Sequence, residues 1–231
     1  PDVRRCRAGV DRKLFEEALS ATRAKCGVAT DPELPAEALN ELVEEYKALI
    51  RSHAKVAFPD DPREQLRLAI NAVFASWNNN RAITYRNLYN IPHTLGTAVT
   101  VQTMVFGNMG QKSLTGVCFT RDPGSGKKQF FGEYLVNAQG EDVVAGIRTP
   151  MPIAKMQQEF PKLYEQLFGV CRQLERYFRE VQDIEFTAEE STLFILQTRT
   201  GKRTARAAVQ IVVDFVEEEM ISRDEALLRI Q

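Results

Sequence analysis

The spacing of apolar residues predicts an α+β chain. Helical periodicity runs through residues 11–91, and alternation of period two with β-branched residues takes over from Gly96. The chain then returns to a long helix, a polar-tipped hairpin and closing helices. That order, with turns of hairpin length between strands, favours an antiparallel sheet over a parallel doubly wound one. Two regions are expected: a helical region over 1–91 and a sheet-bearing region with closing helices over 92–231.

Each element has a local reason. Residues 11–26 place Leu14, Ala18 and Leu19 on one face, and Gly27 stands where a helix stops. Residues 36–52 carry a stripe of Leu39, Leu42, Val43, Tyr46 and Ile50. Asp61 followed by Pro62 opens a third helix over 63–77, with Leu66, Ala69, Ile70, Val73, Phe74 and Trp77 as its stripe. Three asparagines end it, and Arg81–Tyr89 reads as a further short helix. Thr97–Phe106, Leu114–Thr120 and Gln129–Asn137 read as three strands of a meander. Ala138–Pro152 reads as a glycine-containing loop. Residues 155–179 read as one helix with Leu163, Leu167, Val170, Leu174 and Phe178 inward, and 204–218 and 222–230 as the closing helices.

The segment Asp183–Arg199 concentrates the chemistry. Asp183 and Glu185 are two apart, as are Gln197 and Arg199, so each pair shares one strand face. Glu189-Glu190-Ser191-Thr192 is polar enough to turn. Folded as a hairpin, the segment sets two carboxylates, an amide and a guanidinium side by side. Ile184, Phe186, Phe194 and Leu196 then take the opposite face for burial. Hard cations such as Mg²⁺ take carboxylate oxygens and share their remaining positions with water and phosphate. A guanidinium supplies a planar fork for phosphate. The same alternation also describes an ordinary solvated sheet face, and spacing alone does not choose.

Composition narrows the classes. Net charge is −1 and the pI about 6.3, so no global field favours nucleic acid or an anionic membrane. Residues 1–27 carry seven bases (among them Arg4, Arg5 and Arg7) against four acids, and residues 31–65 nine acids against four bases. Such runs are ordinarily solvated helix faces. Cys6, Cys26, Cys118 and Cys171 are widely spaced without a Cys-x-x-Cys, which indicates neither a zinc site nor a thioredoxin-type motif. They suit a reducing compartment, with Cys118 and Cys171 read as packing residues. No apolar stretch has transmembrane length, and no signal peptide opens the chain. A start at Pro1 reads as a piece of something longer.

Three motifs invite a function. Gly124-Ser-Gly-Lys-Lys128 lacks the spacing and the following helix of a phosphate loop and reads as a hairpin turn. Ser52-His53 and His93 have no carboxylate or thiol partner at a helical spacing and read as surface histidines. Asn137–Pro150, with Glu141, Asp142 and Arg148 among glycines, reads equally as a functional loop or a flexible one.

Several stretches resemble the pyruvate phosphate dikinase family. They are Thr115-Gly-Val-Cys-Phe-Thr-Arg-Asp-Pro123, Phe131-Gly-Glu-Tyr-Leu-Val-Asn-Ala-Gln-Gly-Glu-Asp142, Gly146-Ile-Arg-Thr-Pro150, Gln182-Asp-Ile-Glu-Phe186, Leu196-Gln-Thr-Arg199 and Gly201-Lys-Arg-Thr204. Ala75-Ser-Trp77, Arg81-Ala-Ile-Thr-Tyr-Arg86 and Val101-Gln-Thr-Met-Val-Phe-Gly107 fit the same family, so the likeness runs from about Asp31 to the C-terminus. It implies the middle and C-terminal part of an ATP-grasp nucleotide-binding domain. The parent enzyme would convert ATP, phosphate and pyruvate into AMP, diphosphate and phosphoenolpyruvate. By position, the resemblance makes Asp183 and Glu185 Mg²⁺ ligands, Gln197 and Arg199 phosphate neighbours, and Gln102, Met104 and Val105 part of the strand bordering the adenine. Glu133 and the loop at Glu141 carry over further nucleotide contacts.

The departures are as informative. The family's glycine-rich stretch with a phosphate-binding lysine, its phosphohistidine motif and its pyruvate barrel have no counterpart in the sequence. The resemblance therefore places no catalytic residue in this chain. It implies ATP and Mg²⁺ as ligands, with the phosphohistidine and pyruvate-binding domains of one parent chain as partners. It also implies a homodimeric parent in the cytoplasm, chloroplast or glycosome, without nucleic acid or membrane. The rival reading is a non-catalytic module that binds a nucleotide or a partner; a weaker third is an interaction domain built on helices 11–91.

Overall fold

The computed structural model describes residues 10–145 and 148–230. Cys6 and the bases Arg4, Arg5 and Arg7 lie outside the described residues, as do Gly146 and Ile147 of the glycine-containing loop. The chain divides into two compact units, Pro1–Gln102 and Thr103–Gln231.

The first unit is helical. Helix α1 (Arg12–Cys26) begins where the Asp11 carboxylate accepts from the Lys13 N–H. It stops at Gly27, whose φ of 67° is the left-handed value that glycine adopts without a Cβ penalty. Helix α2 (Ala36–Ala54) packs on α1 through Ala18, Ala38 and Leu42, with Phe15 and Tyr46 edge to face at 5.0 Å. The Tyr46 hydroxyl donates to the Phe15 carbonyl at 3.1 Å. Helix α3 (Pro62–Ser76) is capped by Asp61, and α4 (Asn80–Leu88) by Asn79. The α3 stripe expected to be inward stays wet: Leu66 and Phe74 are exposed, and the helix buries no residue. Its contact with α4 runs instead through Arg86, which stacks over Trp77 at 3.9 Å and donates to the Trp77 carbonyl.

The second unit is a five-stranded antiparallel sheet in the order β3-β2-β1-β4-β5. The strands are β1 (Leu114–Phe119), β2 (Phe131–Val136), β3 (Met151–Pro152), β4 (Gln182–Glu189) and β5 (Thr192–Thr200). Between β2 and β3 the expected loop holds a short helix, α5 (Gly140–Ala145). The single helix expected over 155–179 is two, α6 (Ile153–Glu159) and α7 (Pro161–Phe178). Pro161 is the reason: it starts a helix well but cannot supply the N–H that would continue one. Helices α8 (Ala205–Glu217) and α9 (Arg223–Arg229) close the unit.

The expected first strand, Thr97–Phe106, is absent. These residues carry no ladder, and the sheet order β3-β2-β1-β4-β5 does not include them. Gly124–Lys128 is the turn of the β1–β2 hairpin. Asp122 accepts there from the Gly124 N–H and the Ser125 hydroxyl, and Gly126 at φ 82° lies too close to α8 to admit a Cβ.

One face of the sheet is packed. Leu114, Cys118, Tyr134, Ile184, Phe186 and Ala188 meet Ile153, Met156, Leu163, Leu167 and Cys171 of α6 and α7. Gly116 is required because a Cβ there would come within 2.7 Å of the Phe186 ring. The β4–β5 ladder slips by one residue between Glu185 and Phe186. Glu185 pairs with Gln197, but Phe186 pairs with Ile195, so Leu196 is the extra residue of a bulge. Beyond the bulge the parity reverses. Ile195 and Leu193, not Leu196 and Phe194, join the core. Phe194 is 38% exposed, which corrects the face expected for both residues.

A second cluster ties α8 to the sheet. Val181 packs with Ala207, Ile211, Val212 and Phe215 of α8 and with Ile221 and Ala226. Arg121, fully buried just past β1, forms a fork on Glu175 of α7 (3.0 and 3.1 Å) and reaches Glu218 (2.9 Å) and Asp214 (3.3 Å). Its guanidinium lies 4.5 Å over the Phe215 ring. Burial pushes the Glu218 carboxyl up, but hydrogen bonds from Arg121 and Lys128 more than offset it, and the net direction is down from 4.5. That contribution to stability is fully present above pH 4.5 and is lost as pH falls through the lower folded value.

Two outcomes are expected in urea unfolding of the purified chain. Arg121→Met strands the Glu175 carboxylate and lowers the stability of this unit by about 3–5 kcal/mol. Phe186→Ala costs a similar ~3–5 kcal/mol, whereas Leu196→Ala, at the bulge, costs about 1 kcal/mol. Equal losses for Phe186→Ala and Leu196→Ala would contradict the one-residue slip between β4 and β5.

Candidate nucleotide and metal site

The unpacked face of the sheet follows from the same register. Residues directly opposite in a ladder point to one side. Glu133, Val117, Glu185 and Gln197 therefore form one row across β2, β1, β4 and β5. Phe131, Phe119, Asp183 and Arg199 form the row beside it. The strand spacing sets Glu133 and Glu185 on the order of 10 Å apart, with Val117 as floor between them.

Within this face the charges already meet. Arg199 Nε donates to Asp183 Oδ2 at 2.7 Å, and its Nη2 stands 3.7 Å from Glu185 Oε1. The Asp183 hydrogen bond, followed by its charge, raises the Arg199 pKa above its already high value. Asp183 is nearly buried, with a side chain 11% exposed, while Glu185 is 39% and Arg199 56% exposed. One guanidinium thus stands between two carboxylates that would otherwise repel, and the trio keeps a net negative charge. Because Arg199 is open to water, its pairing is cheap to exchange for another cation.

The donor set can be compared with what a hard cation needs. Among the described residues no three His, Cys, Asp or Glu side chains gather as a ready metal cage. Mg²⁺ characteristically takes only one or two protein carboxylates and keeps water or phosphate elsewhere, which Asp183 and Glu185 can satisfy.

The residues expected at the adenine border straddle the boundary between the two units. Met104 is 75% exposed, and Gln102 is also exposed, at the end of the helical unit. Met104 and Val105 precede a segment pinned to the far end of β4 and β5. The Phe106 N–H donates to Glu189, the Ser191 N–H to the Lys112 carbonyl, and the Glu190 N–H to the Ser113 hydroxyl. Glu189 lies six positions from Asp183, about 20 Å at the strand rise. At this end Thr115 and Thr187 are buried and share a 3.0 Å hydroxyl contact. The helix α5 carries Glu141, and Arg148 donates to the Val136 and Asn137 carbonyls (2.8 and 3.0 Å), closing the loop at its base.

Several neighbours escaped sequence reasoning. Phe119 and Phe131 form a ring pair at 6.4 Å beside Asp183, and only the ladder register could have placed them there. Both histidines belong to the helical unit. His53 contacts Ser52 and the Leu49 carbonyl. His93 accepts from Arg86 through Nδ1, which leaves Nε2 to donate to Asn87.

Comparison with known proteins meets this geometry. Residues 34–164 match the family described as pyruvate phosphate dikinase, AMP/ATP-binding domain. The chain is 51% identical over 223 residues to the pyruvate, phosphate dikinase of Clostridium symbiosum, covering 96% of the chain and 26% of that protein. It is 49% identical to that of Rhizobium meliloti (strain 1021), over 96% of the chain and 26% of the relative. It is also 49% identical to the chloroplastic enzyme of Flaveria pringlei, over 96% and 23%. The chain thus spans about a quarter of the length of these relatives. No described helix is long and apolar enough to cross a membrane. An α+β unit with an open acidic sheet face is the architecture of an ATP-grasp-like nucleotide-binding fragment, and with more than half of its residues matched the chain belongs to the pyruvate phosphate dikinase AMP/ATP-binding domain family.

Proposed function

We propose that this chain forms part of the MgATP platform of a pyruvate, phosphate dikinase. The observation that carries the reading is the pair of adjacent rows, Glu133–Val117–Glu185–Gln197 and Asp183–Arg199, on one open sheet face. Asp183 and Glu185 would hold Mg²⁺, whose role when bound is to neutralise and orient phosphate oxygens. Arg199 would leave Asp183 and turn its fork to phosphate. Gln197 would donate an amide N–H to a phosphate oxygen, and Glu133 would meet the nucleotide across Val117. Gln102, Met104 and Val105 would border the adenine. Chemistry at such a site is mostly positioning and charge neutralisation.

Transfer would then proceed to a histidine on another part of the parent chain, and finally to pyruvate. The quarter-length coverage favours a second reading for the chain by itself, a binding module without turnover. The parent reading includes a homodimer and a cytoplasmic, chloroplast or glycosomal setting. It includes no nucleic-acid or membrane partner.

Two experiments test the platform reading. The isolated chain should neither form nor consume phosphoenolpyruvate in a coupled assay, and measurable turnover would refute that. In the full-length parent, Glu185→Ala should melt within about 1 kcal/mol of wild type, since its contact to Arg199 is long and exposed. ATP-dependent histidine phosphorylation should fall by about 10–100-fold at limiting Mg²⁺, the worth of one or two charge-assisted contacts. A variant with full transfer at every Mg²⁺ concentration would exclude Glu185 from the site.

A further inference from the structure

Beneath the acidic platform, on the opposite side of the sheet, two thiols face each other. Cys118 lies one residue before the end of β1, the middle strand of the sheet, opposite Ile184 of β4 and Gly132 of β2. Cys171 lies on the inner stripe of α7. Their Sγ atoms are 3.8 Å apart across 53 positions of sequence, both cysteines are free, and both are buried, at 0% and 2% exposure. Neither has a part in the nucleotide reading. The third described thiol, Cys26, sits on α1 of the helical unit.

A disulfide needs its sulfurs about 2.05 Å apart. The observed gap therefore has to close by about 1.8 Å, a movement within reach of small rotations of both side chains. We propose that Cys118 and Cys171 are a redox-modification site, at which a small two-electron thiol oxidant forms an intrachain disulfide that staples α7 to the centre of the sheet. With an azodicarboxamide as oxidant, the first thiol adds across the N=N bond and places its proton on nitrogen. The second sulfur then attacks the first, the S–S bond forms, and the S–N bond breaks. The second thiol's proton goes to the departing hydrazine. Two thiols are oxidised and one N=N is reduced.

The burial that brings the sulfurs together also slows the reaction. Desolvation, then the hydrogen bond with Cys171, pushes the Cys118 thiol well up, so thiolate is scarce in the closed state. Oxidant reaches the pair only when α7 lifts from the sheet, so the rate reports that opening. The completed bond closes a long loop between β1 and α7 and resists the same opening. It stands on the packed face, leaving Asp183 and Glu185 on the other.

The test treats the purified full chain with azodicarboxamide and maps peptides before and after reduction. The expected product is one linked pair, Cys118 to Cys171, with loss of two hydrogens. It should form slowly in buffer and at least tenfold faster in urea below the unfolding midpoint. The melting midpoint should rise by roughly 5 °C, and the link should be absent in Cys171→Ala. Should that variant not fold, the wild-type peptide map decides alone. Links dominated by Cys26 or Cys6, or no link after exhaustive treatment, would overturn the proposal.

Discussion

Strand β4 is paired on both sides, by β1 and by β5, and this double pairing decides on which side of the sheet each of its residues stands. Ile184, Phe186 and Ala188 must be buried, and their burial carries much of the unit's stability. Asp183 and Glu185 are then forced to the other side, where α6 and α7 do not pack. The acidic face is therefore a consequence of the core. The bulge at Leu196 completes the arrangement. It lets Gln197 and Arg199 face with the acids at one end of β5, while Ile195 and Leu193 face the core at the other.

The platform is held in place by what lies at its edges. Arg121, just past β1, gathers carboxylates from α7 and from the end of α8, so the strand paired beside Asp183 cannot shift without disturbing both helices. Buried ion pairs of this kind add little net stability over an apolar substitute, but losing one partner is costly. Their effect is to fix geometry. On the site's own face the opposite economy holds: Arg199 is exposed, its pair with Asp183 is local, and the charge balance stays exchangeable.

Much of this was legible in the sequence because two periods were clear. The parity of Asp183, Glu185, Gln197 and Arg199 placed them on one face, and the structure brings all four together. The turn at Gly124–Lys128 and the helix ends at Asp61 and Gly27 were equally local. What was illegible depends on partners. Thr97–Phe106 has strand composition but joins no ladder. The α3 stripe has helical spacing but little to bury against. Leu196 and Phe194 obey alternation until a one-residue slip that no spacing announces. Arg121 reads as one base among thirty, and only the fold surrounds it with carboxylates.

The central claim is that a nucleotide-bound cation sits at Asp183 and Glu185, beside Val117, on the side of the sheet away from α7. Methyl NMR of the chain with Mn²⁺ and ATP tests this directly, because paramagnetic broadening falls steeply with distance and tolerates weak binding. The account predicts selective loss of the Val117 methyl signals, while Ile184 and Ile195 on the packed face keep theirs. Equal loss on both faces, or loss centred on α8 and α9, would contradict it.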